Sequence, residues 1–119
     1  MGWLLRDGEV VANLEIAQGR SARRKGLLGR DGVAGGLWLE PASSVHTLGM
    51  RFPLDVAFLR PRPDDDPGPM ERWEVVATCR MPPHRVSRPR MRATAVLEAE
   101  AGAFARWRVE PGVTVEVRR

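Results

Sequence analysis

The sequence predicts a small α+β domain, mainly β, barrel-like or two-layered, with about six strands and two short helices. Three observations carry this expectation. Apolar residues recur with period two in short segments, and glycine and proline punctuate the intervals between them. The chain of 119 residues can bury one core but not two.

The elements follow in order. Val10, Ala12, Leu14 and Ile16 alternate with Val11, Asn13 and Glu15, the pattern of a half-buried strand. Gly19 breaks it. Ser21 can then cap a short helix running to Leu28, with Leu27 and Leu28 turned inward and Gly29 ending it. After Gly35-Gly36, the run Leu37-Trp38-Leu39 reads as a buried strand stopped by Glu40-Pro41. Between Met50 and Leu59 the residues Met50, Phe52, Leu54, Val56 and Phe58 are apolar, while Arg51, Pro53 and Asp55 take the other parity. A strand here is expected to bury its even side and leave Arg51 and Asp55 outside. Pro53 confines its first half to an edge or a bend.

Pro61 to Pro69 holds four prolines around Asp64-Asp65-Asp66, so the stretch over 61–70 is expected to be an exposed loop. Consecutive aspartates lack the alternating spacing of a calcium loop. Trp73 to Cys79 returns as a strand, making 55–79 a long-looped hairpin. Simple alternation puts Cys79 in register with Trp73, Val75 and Ala77, as a small buried hydrophobe. The segment His84 to Arg92 has no apolar periodicity and reads as a solvated loop or an edge. Ala95 to Ala99 forms another strand, Gly102 to Arg108 one helical turn, and Val113 to Val117 a last strand after the Pro111-Gly112 turn.

Composition narrows the function classes. A single cysteine excludes an internal disulfide and cysteine-rich zinc motifs, and two histidines make a transition-metal site unexpected. No cofactor is expected. The apolar runs are all too short to span a bilayer, and the stretch Met1 to Asp7 is too short and too polar for a signal-peptide core, so a soluble cytoplasmic protein without a membrane partner is expected. The net charge of +4 rests on eighteen arginines and Lys25, against fifteen acidic residues interspersed among them. A basic chain attracts anions, from small ligands to nucleic acid.

Three stretches together resemble the family known as domain of unknown function 192. They are Arg24-Lys25-Gly26-Leu27-Leu28-Gly29-Arg30, the long match from His46 to Phe58, and Ala95-Val96-Leu97-Glu98 followed by Ala101-Gly102. With the order of what lies between, the resemblance covers about residues 10–117 of a single domain, 1–119. It implies a compact, mainly β fold with short helices, and no settled activity, cofactor or catalytic residue. Many members carry an export or lipoprotein signal, and the loop at 61–70 is longer and richer in proline than the family's usual turn.

Polar side chains interrupt the apolar pattern at one candidate surface: Arg24, Arg30, His46, Arg51 and Asp55. Arg23, Arg24 and Lys25 fall in the first turn of the expected helix, where the dipole disfavours cations and an anionic partner would be welcome. Asp55 is expected to tie to another element, such as Arg24 or Arg30. The resulting expectation is a non-enzymatic binding module for a small anionic or hydroxylated ligand. Two alternatives stand beside it. Arg85, Arg88, Arg90 and Arg92 could track the phosphates of a nucleic acid. His46 and Asp55, with Ser43 or Ser44, could be written as a hydrolytic triad, though no nucleophile-elbow motif accompanies them.

Overall fold

A computed structural model describes residues 2–18, 35–47, 50–63 and 70–119. Alternating sequence becomes seven strands: β1 (Gly2–Arg6), β2 (Glu9–Gln18), β3 (Gly36–Glu40), β4 (Leu54–Pro61), β5 (Glu71–Met81), β6 (Ala95–Glu100) and β7 (Thr114–Arg118). They close into one barrel in the order β1-β2-β3-β6-β4-β5-β7. Neighbours are antiparallel except β2 and β3, which run parallel. One helix, α1 (Ala103–Trp107), is present among the described residues. The helix expected over 21–28 lies outside the described residues, as do Arg24, Arg30 and the triple aspartate.

The barrel therefore has one strand more than the alternation predicts. The addition is β1, joined to β2 by Asp7-Gly8, both at positive φ (54° and 79°). Asp-Gly with two left-handed residues is the two-residue hairpin turn whose twist matches its strands. The strand expected from Met50 begins instead at Leu54. Arg51 and Phe52 form a bend, and Pro53, with no N–H to give a ladder, marks the boundary.

The interior is filled from all seven strands, by Leu4, Ala12, Leu14, Trp38, Ala57, Leu59, Trp73, Val75, Leu97, Val115 and Val117 among others. Trp38 and Trp73 meet edge to face, ring centroids 5.0 Å apart. Helix α1 plugs one end, adding Phe104 and Trp107 to the same cluster. A second core lies on the outer face of β3, β6 and β4, where Leu37, Leu39, Val96, Leu54, Val56 and Phe58 pack beneath Val45, Met50 and Ala93. So β4 is buried on both faces from Leu54 to Leu59. Its odd residues Ala57 and Leu59 join the interior and its even residues join the outer core.

That arrangement corrects the expected position of Asp55. It shares the interior parity of Ala57 and Leu59 and is 6% exposed. The reading of β5 also needs correction. The register slips between Phe58↔Ala77 and Leu59↔Val75, leaving Val76 unopposed as a β-bulge. Trp73 and Val75 before the bulge face the interior, whereas Ala77, Cys79 and Met81 after it join the outer core. Cys79 is only half-buried.

Candidate functional site

The layer over the outer core consists of two ribbons, residues 41–47 and 82–94, stitched by backbone bonds. Ala42 N–H donates to Thr94 O (3.0 Å), Arg90 to Ser43 (2.8 Å), Ser87 to Val45 (2.8 Å) and Thr47 to Arg85 (2.7 Å). Thr47, fully buried, is the hub. Its hydroxyl donates to the Pro82 carbonyl (2.6 Å) and accepts from the Arg85 amide (2.8 Å). Its carbonyl accepts from His84 (2.8 Å) and Met50 (3.0 Å). Ser87 Oγ accepts the Val45 amide at 2.8 Å. A segment without apolar periodicity is thus held firmly in place by hydrogen bonds instead of burial.

Between this arm and the end of β5 lies a concavity of about 410 Å³, lined by Phe58, Cys79, Met81, Pro82, Val86 and Ser87 and by four arginines, Arg80, Arg85, Arg88 and Arg90. None of these lining residues is acidic, and all four arginines are exposed. The Arg90 guanidinium lies over the Phe58 ring, 5.6 Å from its centroid. Converging cations above an apolar floor suit an anionic ligand: arginine presents a planar, permanently charged fork that matches carboxylate and phosphate oxygens. Cys79 borders the groove, but burial pushes its thiol up in pKa, outweighing the opposing pull of Arg90, so it is a poor nucleophile at neutral pH.

Of the residues singled out in the sequence, His46, Arg51 and Asp55 are described, each on a different part of the fold. His46 is exposed and its strand position pairs with Val86 in the covering layer. Arg51 is exposed in the bend before β4. Asp55 sits at the barrel end and is committed elsewhere. Its Oδ2 accepts the amides of Gly102 (2.9 Å) and Phe104 (3.1 Å), and its Oδ1 accepts Arg80 Nε (3.1 Å). Helix α1 has Gly102 at its N-cap and no side-chain cap of its own, so Asp55 supplies the missing acceptor from a distant strand. The expected structural tie exists, with Arg80 and the helix as partners. Arg80 carried no signal in the alternation. Its role emerges only once the bulge places it opposite Asp55.

No group of three or more His, Cys, Asp or Glu side chains able to hold a metal ion occurs among the described residues. No helix among them is long and apolar enough to cross a membrane.

Residues 3–117 match the DUF192 family, described as Uncharacterized ACR, COG1430. The chain belongs to that family. Among the family's stretches in this chain, His46 to Phe58 includes the end of the 41–47 ribbon, the bend at Arg51 and Phe52 and the start of β4, and Ala95 to Glu98 is the start of β6. Two solved structures resemble the DUF192 barrel. A "putative transcription regulator" from Sinorhizobium meliloti 1021 aligns with a TM-score of 0.72 and 23% identity, over 98% of this chain and 91% of that one. A protein of unknown function from Novosphingobium aromaticivorans DSM 12444 aligns with a TM-score of 0.66 and 20% identity, over 99% and 83%. At these identities the likeness is one of fold. No curated protein matches the chain.

Proposed function

We propose that this DUF192 protein is a non-enzymatic, cytoplasmic binding module for a small anion, held in the groove of Arg80, Arg85, Arg88 and Arg90. The observation that carries the proposal is that one concavity with no acidic lining residue is lined by four exposed arginines, of which Arg80 already pairs with Asp55. This moves the ligand away from the surface of Arg24, Arg30, His46, Arg51 and Asp55, because both oxygens of Asp55 already accept bonds from the helix and Arg80. The same commitment weighs against a hydrolytic pairing of Asp55 with His46. A lone cysteine is in keeping with a reducing compartment.

The test is a titration of labelled protein with inorganic phosphate and with citrate, followed at the arginine Nε–H resonances. Saturable shifts at Arg85, Arg88 and Arg90, lost in an Arg88→Gln/Arg90→Gln variant, are expected. Shifts that grow linearly without saturation would sink the reading. Retardation of oligonucleotides that weakens with salt and vanishes on replacing Arg88, Arg90 and Arg92 would favour phosphate tracking along a chain instead.

A further inference from the structure

Resting on that reading, we infer that the groove selects an anion attached to a flat apolar body, such as an aromatic phosphate or carboxylate, over a bare inorganic anion. Size is the first argument. A concavity of about 410 Å³ falls within the range of small-molecule sites, roughly 300–1,000 Å³, and is far larger than a phosphate ion fills.

The second argument is the division of the lining. Arg80, Arg85, Arg88 and Arg90 supply the charge, while Pro82 and Val86 supply exposed apolar surface beside the buried Phe58 and Met81 of the same groove. Val86 is 68% exposed, one of four exposed large hydrophobic residues among those described. An isolated exposed valine is ordinary, but this one shares a concavity with four cations. The backbone bonds of Arg85 and Ser87 run toward residues 45–47, which fixes the ribbon on which Val86 is presented. A bare anion would leave that surface wet.

The third argument is Arg90. Its guanidinium covers Phe58, which is itself only 1% exposed. The Arg90 side chain is thus anchored over a buried ring while the residue itself stays exposed. A guanidinium anchored at this place can receive a ligand ring, with Arg85 and Arg88 left to meet the acid group.

The experiment compares inorganic phosphate with phenyl phosphate by calorimetry on the intact chain, in the wild type and in Arg90→Lys and Val86→Asn. Both substitutions are at exposed positions, and Arg90→Lys keeps the charge while removing the plane. Phenyl phosphate is expected to bind about tenfold tighter than phosphate, from one stacking contact and the apolar area it covers. Arg90→Lys should erase most of that advantage, weakening phenyl phosphate by a clearly larger factor than it weakens phosphate. Equal affinities in the wild type would overturn the inference and leave the anion site standing. An advantage that survives both substitutions also overturns it, because the ring is then held elsewhere. Failure of either probe to bind saturably would remove the anion site itself.

Discussion

Asp55 shows how a side chain can look like chemistry in sequence and turn out to be architecture. A carboxylate in an apolar strand invites a functional reading, yet here it accepts two helix amides and one guanidinium N–H at a nearly closed barrel end. Bonds to a charged acceptor are worth about 1.5–3 kcal/mol each in net terms, and stranding buried amides costs more than losing an exposed pair. Asp55→Ala is therefore expected to destabilise the protein by about 3 kcal/mol in urea titration. Amide exchange at Gly102 and Phe104 should accelerate with it. Asp55→Asn should cost less, since its amide oxygen still accepts. If Asp55→Ala unfolds at the wild-type midpoint, the capping role is wrong. Gly35 poses the opposite case: at φ 79°, an added Cβ would lie 2.6 Å from the Asn13 carbonyl oxygen. Gly35→Ala should lower stability by about 1–3 kcal/mol through backbone strain and displacement of β2.

Among elements, the sides of a strand were legible where one face is wet and obscure where both are dry. Alternation located β2, β5 and β7, because a half-buried strand must repeat every two residues, whereas β3 and β6, buried on both faces, were read from short apolar runs. It misassigned the sides of β4, whose Val56, Ala57, Phe58 and Leu59 are all buried between the interior and the outer core. No periodicity can separate two apolar faces. It also passed over β1, although Asp7-Gly8 carried the hairpin signal. The groove arginines were visible as a charged run, but Arg80 and the apolar floor were not, because both depend on the bulge at Val76. That bulge is an inserted residue with a register role, so deletion and substitution should differ. Deleting Val76 forces either Trp73 and Val75 out of the interior or Ala77, Cys79 and Met81 off the outer core, and loss of cooperative unfolding is expected. Val76→Ala, half-buried, should cost no more than about 1.5 kcal/mol. A deletion variant melting like the wild type would show that the bulge sets nothing.

At the scale of the whole molecule, closure of the barrel depends on pairings that sequence patterning does not encode: the parallel β2–β3 contact and the β1–β7 seam. Its two ends are finished differently. Helix α1 plugs one, and at the other Arg119 bonds Glu71 through two nitrogens (2.6 and 3.1 Å) and also reaches Glu40. Those two glutamates accept the indole N–H groups of Trp73 and Trp38, so the terminal arginine braces both core tryptophans. Between the ends, β6 carries a charge where the outer core is driest. Glu98 lies between Leu37 and Val56, is 4% exposed, and burial pushes its pKa up to about 7 from 4.5. The sign follows from proton counting. Below pH 4.5 the side chain is protonated whether the chain is folded or unfolded, and it contributes no pH dependence. Between about 4.5 and 7 the folded state holds a proton that the unfolded state has released, so stability falls as pH rises, levelling off above 7. A shift of this size corresponds to at most about 3 kcal/mol. Urea titrations at pH 5 and pH 8 should show Glu98→Gln gaining stability relative to wild type at the higher pH and little at the lower, because the amide never ionises. A constant difference between the two proteins across that range would mean that Glu98 folds with its charge already satisfied.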